Sequence, residues 1–301
     1  MDETNGVILV NKHKGVTSHD IVFKIRRLFG TKKVGHTGTL DPLATGVLPV
    51  LIGRCAKASD LLVSENKRYI ATLQLGIETD TEDITGKILK TSNSLPTKEQ
   101  FFDTCKRFLG ESMQVPPMYS ALKVNGKKLV DLAREGIEIE RQARRITIFS
   151  LTPELVDEEK GIYRLDVSCS KGTYIRTLCS DIGKMLGCGA TMSELERVES
   201  GSFKLENAHT IDELEKMELE KRKELVIPTE SLFLELEMVL LPDFYARLFK
   251  SGCEIYQKKI KTSFKNAQLL RVYDKDGFFA LGEVREYADG LAIKSLKLFK
   301  I

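Results

Sequence analysis

Gly35-His36-Thr37-Gly38-Thr39-Leu40-Asp41-Pro42-Leu43-Ala44-Thr45-Gly46 is the densest cluster of conformationally special residues in the chain. Its glycines allow tight backbone geometry. Asp41 precedes Pro42 and is therefore held away from helical conformation. A carboxylate fixed on a loop close to a histidine is an arrangement that can do chemistry. The same residues also make ordinary turns, and on the residues alone the turn is the stronger reading. A phosphate-cradling loop is excluded, because no Gly-Lys-Ser/Thr ending comes after the glycines.

The flanks place this stretch between regular elements. Upstream, Val7 to Val10 is a short apolar run and reads as a buried strand. Thr17 to Asp20 has the form of a capping box, and Ile21, Val22, Ile25, Leu28 and Phe29 come next at helical spacing. Gly30 is placed to end that helix. Val34 to Gly46 reads as loop throughout. Downstream, Val47 to Ile52 reads as a strand whose Pro49 points to an edge or a strand start.

Farther along, Tyr69, Ala71, Leu73 and Leu75 alternate, which predicts a half-buried strand. Thr97 to Leu109 reads as a helix, and Pro116-Pro117 separates it from the next segment. Tyr163, Leu165 and Val167 alternate with Arg164 and Asp166 in another strand. Ser170 to Thr173 is a turn, and a helix over Tyr174 to Leu186 is ended by Gly187. A helix is expected around Ile211 to Leu225. Short strand-like runs, Leu269 to Tyr273 and Phe278 to Glu283, are joined by Asp276-Gly277. Strands and helices do not alternate strictly, so the expected class is α+β with a mixed or antiparallel central sheet flanked by helices. A boundary near Leu236 divides the chain into residues 1–236 and a small β-rich unit over 237–301.

The 301 residues suffice for a substantial core. Net charge is only +3, but its distribution is uneven. Residues 1–63 carry +4 and residues 238–301 carry +5, while 206–237 carry −6, so a polyanion favours the two ends. The six cysteines show no Cys-x-x-Cys pair and no zinc-finger histidine spacing, which fits free thiols in a reducing compartment. The polar start MDETNG is no signal peptide, and no apolar run approaches the roughly 18 residues of a membrane span. A cytoplasmic protein is expected.

Taken together with ordered blocks elsewhere, Gly35 to Gly46 resembles the signature loop of the TruB pseudouridine synthases, G-H-x-G-x-L-D-P-x-A-x-G. Gly6 to Asp20 (GVILVNKHKGVTSHD) resembles that family's N-terminal strand and basic turn. Lys67-Arg68-Tyr69 resembles its K-x-Y strand start, and Gly76 to Asp83 (GIETDTED) its G-x-x-T-x-T-x-D segment. Pro116 to Gly126 and Ala133 to Gly136 match its central motifs. Ser170 to Arg176 (SKGTYIR), with Asp181 beyond it, matches its late motif. The chain departs at Lys12-His13, where Lys-Pro is frequent, at Val130 in place of Tyr, and at Glu196 in place of a second basic residue.

The resemblance implies isomerisation of uridine to pseudouridine in tRNA, at position 55 of the T loop, with no metal and no organic cofactor. It implies Asp41 as the essential carboxylate and Arg176 as its cationic partner. Tyr69 is implied to stack on the target uracil, with Tyr174 and Leu195 bounding the same pocket. On the residues alone Tyr69 and Leu195 also read as core packing. His36 on the residues alone is a general base or a satisfied structural histidine. The resemblance implies a third role, filling the space vacated by a flipped uridine. Lys12, Lys14, Lys32 and Lys33 are candidate phosphate contacts, set against the ordinary role of solvated lysines. Residues 237–301 resemble a degenerate PUA domain. A monomer acting on tRNA without an obligate protein partner is the implied form. Two alternatives stand beside it: a guide-RNA-dependent synthase subunit, and an RNA-binding or RNA-folding protein without chemistry.

Overall fold

In a computed structural model, which describes residues 4–62 and 66–300, the sheet is built around strands that are apolar on both faces. β1 (Gly6–Lys12) carries Ile8 and Val10 on one side and Val7 and Leu9 on the other, and all four are buried. α1 (Ser18–Phe29) comes next, opened by the Thr17–Asp20 capping box and closed by Gly30 in the left-handed conformation. After it come β2 (Val34–His36) and β3 (Thr45–Ile52), then β4 (Lys67–Leu75) and α2 (Lys98–Lys106). β5 (Gly110–Gln114), β6 (Arg144–Asp157) and β7 (Ile162–Cys169) lead to α3 (Ile175–Leu186) and β8 (Ala190–Ser200). α4 (Ile211–Lys216), α5 (Leu219–Glu224) and β9 (Ile227–Pro228) return the chain to the far edge of the sheet.

The order of that sheet is β9-β1-β3-β8-β4-β7-β6-β5, with β2 added alongside β3. Every pairing along this order is antiparallel except one. β3 and β8 run parallel and touch only at Glu196 opposite Thr45 and Arg197 opposite Gly46. This short parallel contact is a seam between two antiparallel halves. The expected α+β class with a mixed sheet is what the chain adopts.

One face of the sheet is covered by α1, α2, α3 and α4. Over β1 and β3, the opposite face is covered by a second sheet. Its strands are β10 (Glu237–Leu240), β11 (Ile255–Tyr256), β12 (Leu269–Asp274), β13 (Gly277–Tyr287) and β14 (Gly290–Leu298), in the order β10-β12-β13-β14-β11, with α6 (Asp243–Lys250) packed on it. Phe278, Leu281 and Phe299 meet Val7, Leu9 and Leu51 in a common apolar cluster. Lys297 on β14 ties the second sheet to Asp60, in the short helix Ser59–Leu62 that comes after β3.

Three expectations need correction. The helix anticipated over Ile211 to Leu225 is two short helices, because Met217 and Glu218 are extended. Val34 to Gly46 is not all loop, since its ends are β2 and the start of β3. Pro49 does not mark an edge or a start: it lies inside β3, with β1 on one side and β2 on the other. Cys55, Cys105, Cys169, Cys179, Cys188 and Cys253 are free thiols, as expected. Among the described residues no helix is long and apolar enough to cross a membrane. The first three residues of MDETNG lie outside the described residues.

Candidate active site

Pro49 explains where the loop begins. β2 pairs with β3 as far as His36 opposite Val50. Thr37 then donates its N–H to the Pro49 carbonyl at 3.2 Å. Pro49 has no N–H to return, so the ladder stops and the chain leaves the sheet. It rejoins at Thr45. Gly38 (φ +144°) and Gly46 (φ +104°) lie at the two ends of the excursion.

The excursion is tied down on all sides. Ser18, in the first turn of α1, accepts from the Leu40 N–H at 2.8 Å and donates to the Leu40 carbonyl at 3.0 Å. The Gly15 N–H donates to the Pro42 carbonyl at 2.8 Å. Lys12 sends its ammonium to the carbonyls of His13 (3.0 Å), Val16 (2.8 Å) and Pro42 (3.5 Å). Leu40, Leu43 and Ala44 are buried, while the Asp41 side chain keeps 36% of its surface open. The sequence therefore fixes the backbone of the loop and leaves one carboxylate facing out.

Arg176, on the first turn of α3, meets that carboxylate. Its Nε lies 2.9 Å from Asp41 Oδ2, and its side chain is only 5% exposed. Nη1 donates to the Thr81 carbonyl at 2.9 Å and Nη2 to the Tyr119 carbonyl at 2.8 Å. Asp83 Oδ2 lies 3.7 Å from Nη1. Asp83 is itself fixed, its Oδ1 accepting from Thr81 Oγ1 (2.9 Å), the Thr85 N–H (2.9 Å) and Thr85 Oγ1 (2.5 Å). A guanidinium presents its donors in a rigid fork, so these partners leave Arg176 one orientation.

The remaining predicted residues divide into two groups. Tyr69, at the start of β4, faces Arg197 across the β4–β8 pair. Burial pushes its phenol above the usual tyrosine range, and the charge of Arg197 offsets part of that rise. Tyr174 precedes α3, and its backbone is held by the Gln114 amide, which accepts from its N–H at 2.8 Å and donates to its carbonyl at 3.0 Å. Leu195 is buried on β8 and, with Leu43 and Thr45, lines a groove of about 690 Å³ beside the loop. His36 accepts the Gly38 N–H on Nδ1 at 3.2 Å, and burial lowers its pKa below the ordinary histidine value. Leu195, Tyr69 and His36 lie at or beside the seam, and Tyr174 lies near enough to Asp41 and Arg176 to feel their charges.

The lysines do not form one group. Lys12, expected among the surface phosphate contacts, is fully buried, and its ammonium holds the loop. Burial lowers its pKa to about 8, against the opposing pull of Asp41. Lys14 is exposed and lines the groove together with Glu196. Lys32 and Lys33 are exposed at the other end of β2 from the loop.

Sequence reasoning missed several residues here. Thr81 and Asp83 lie in the Gly76–Asp83 block without any role being read for them, and Gln114, which acts on backbone groups of Tyr174, leaves no pattern in the sequence. Arg197 did leave a signal. It shares the inward face of β8 with Leu195, while Glu194 is exposed and Glu196 faces the groove, so a charge stands where alternation calls for an apolar residue.

The chain is similar to known proteins over most of its length. A family model described as TruB family pseudouridylate synthase (N terminal domain) matches residues 26–175. A second, described as tRNA pseudouridylate synthase B C-terminal domain, matches residues 176–242. A protein named tRNA pseudouridine synthase B from Clostridium tetani is 43% identical over 280 residues, covering 93% of this chain and 95% of its own. The protein of that name from Clostridium novyi is 44% identical over 294 residues, covering 98% and 100%. Among solved structures, the crystal structure of a Cbf5-Nop10-Gar1 complex contains a chain similar at a TM-score of 0.70 and 26% identity. That match covers 99% of this chain and 85% of the other.

Proposed function

The chain belongs to the TruB family of pseudouridylate synthases, and from that premise we propose that it converts the uridine at position 55 of the tRNA T loop to pseudouridine, with Asp41 as the reacting carboxylate. It is an isomerase, and the relatives' names give its substrate class as tRNA. The observation that carries the finer reading is the Asp41–Arg176 contact, in which a solvent-accessible carboxylate meets a buried guanidinium.

The chemistry rests on what those groups can do. A uridine inside a folded loop must leave its stack to reach Asp41, at a cost of a few kcal/mol. His36, at the loop's start, is placed to fill the vacated space. Tyr69 and Leu195 bound the flipped uracil, and Tyr174 closes the pocket beside Arg176. Asp41 acts at the base or the sugar while the C–N glycosidic bond breaks. The uracil turns within the pocket and rejoins the ribose through carbon. Arg176 keeps the carboxylate oriented throughout, being too confined to swing away. We assign the catalytic role to residues 1–236 and read residues 237–301 as a PUA-like module. The net charge of +5 over 238–301 suits an RNA backbone. Lys14, Lys32 and Lys33 are offered to phosphates as well. The guide-dependent alternative is disfavoured by identity: relatives named for tRNA share 43–44%, whereas the Cbf5 chain shares 26%.

The test is direct. Purified protein is incubated with unmodified tRNA transcript alone, pseudouridine is mapped by chemical labelling and primer extension, and Asp41→Asn is run beside it. One new pseudouridine in the T loop, absent with the variant, is the expected result. A folded wild-type protein that makes none would overturn the reading.

A further inference from the structure

Under the loop lies a buried charge that the reaction just described does not use. Arg197 is 1% exposed. Among the described residues no carboxylate comes within ion-pair distance of it. A buried ion without a counter-ion costs several kcal/mol unless its hydrogen bonds are met. An apolar residue at this inward strand position would avoid that cost. What Arg197 touches accounts for its presence.

Its Nε donates to the Val47 carbonyl at 2.9 Å and its Nη2 to the Gly38 carbonyl at 3.3 Å. These carbonyls belong to the two ends of the Asp41 excursion, one just inside its entry and one just past its exit. At Gly46 the two backbones approach too closely to admit a side chain. A Cβ on Gly46 would sit 2.3 Å from the Arg197 carbonyl oxygen, and one on Gly38 would sit 3.5 Å from Nη1. On its other side Arg197 faces Tyr69 directly across the strand pair, close enough for its charge to act on the phenol. Lys12 and His36 lie close enough to feel its charge.

We propose that Arg197 is a positioning residue, which clamps the neck of the Asp41 loop and fixes the Tyr69 phenol so that carboxylate and ring hold one relative geometry. The role rests on the synthase reading above, in which both Asp41 and Tyr69 meet the uridine. Arg197 itself reaches neither base nor ribose. Lysine at this position keeps the charge but cannot span both carbonyls and the phenol, because its donors sit on one atom.

The experiment uses the full chain labelled with 3-fluorotyrosine, as wild type, Arg197→Lys and Arg197→Gln. The Tyr69 fluorine resonance is assigned by its loss in Tyr69→Phe. Single-turnover pseudouridine formation and affinity for a tRNA transcript are measured on the same preparations. In both variants the rate is expected to fall roughly 100-fold, the scale of a ~1 Å misplacement. Transcript affinity stays at the wild-type value and the Tyr69 resonance moves or splits. A wild-type rate in Arg197→Lys would overturn the proposal. So would a rate loss with the Tyr69 resonance unmoved, or a loss that tracks affinity alone. Failure of both variants to fold would assign Arg197 to the core and also overturn it. If the wild type makes no pseudouridine, the synthase reading falls by itself, while a displaced Tyr69 resonance still upholds the clamp.

Discussion

The seam between β3 and β8 and the core of the C-terminal sheet both bury polar side chains, yet they do so on opposite terms. In the C-terminal core Phe249 meets Phe279 edge-to-face at 5.9 Å, among Leu270, Val272 and Ile293. Its two buried long polar side chains are matched: Asp274 pairs with Lys250 at 2.8 Å, and the Gln257 amide serves both the N–H and the carbonyl of Phe264. At the seam, Lys12 and Arg197 are buried with backbone carbonyls as their partners, and the Thr37 hydroxyl is buried with none. The first arrangement stabilises a fold. The second holds a loop in one shape at a cost in stability, which is what a site that needs close placement requires.

The widest break in that contrast is expected from Phe279→Ala. The ring is fully buried, and its loss should cost about 3–5 kcal/mol of stability. Chemical denaturation checks the loss, and the single-turnover rate of the remaining folded protein should stay at the wild-type value. A large rate effect in folded protein would mean that the two regions are not separable. Arg176→Lys works the other way round. It keeps a cation near Asp41 but abandons the carbonyls of Thr81 and Tyr119. The rate should fall roughly 10²–10³-fold, the scale of one lost preorganised donor. The lysine ammonium stays near Asp41, so the melting temperature should move less than in Phe279→Ala.

The same contrast explains what can be read from the sequence. The C-terminal strands, β1 and β4 announce themselves, because apolar burial leaves a period of two or an unbroken apolar run. The helix ends at Thr17, Gly30 and Gly187 are equally visible, since caps need particular residue types. Pro49 is conspicuous in the sequence but points to the wrong place. A missing donor marks a strand edge only when no use exists for a broken ladder, and here the break releases the loop. At the site, Asp41 and Arg176 are identified through the family's motifs, and no spacing on its own joins residues so far apart in the chain. Lys12 is misleading because burial of a lysine among carbonyls depends on a tertiary turn, Gly15 against Pro42, that no local pattern encodes. The constraints on Gly46 are invisible for the same reason.

Gly46→Ala sharpens the comparison at intermediate size. The new methyl group would meet the Arg197 backbone at 2.3–2.9 Å, at a φ of +104° that suits glycine. Backbone must give way on one strand or the other. We expect about 1–3 kcal/mol of lost stability from the strain. The rate should drop as well, since the displaced strand carries Arg197 and the end of the loop. Gly252→Ala in the C-terminal region is the control. That position also has a positive φ, but nothing lies within 4 Å of the added group, so any strain there should leave the rate unchanged.

The smallest effect concerns His36. Its Nδ1 accepts the Gly38 N–H, so the ring at the loop's entry is neutral with its proton on Nε2. Burial first, and then the nearby charge of Arg197, lower its pKa in the folded protein. The unfolded chain therefore binds a proton on this ring at a higher pH than the folded one does. Stability must then decline as pH falls from about 6.5 toward the lowered folded value, and level off below it. Above about 6.5 both states are neutral and the effect vanishes. His36→Asn keeps a carbonyl oxygen where Nδ1 accepts and cannot titrate. The wild-type-minus-variant difference in unfolding free energy should therefore slope across that window and be flat above it. Carboxylates that titrate in the same range cancel in the difference. A difference that slopes the opposite way would mean that His36 is charged in the folded protein. The Gly38 N–H could not then be its partner, and the entry to the loop would be held by Arg197 and the Thr37–Pro49 bond.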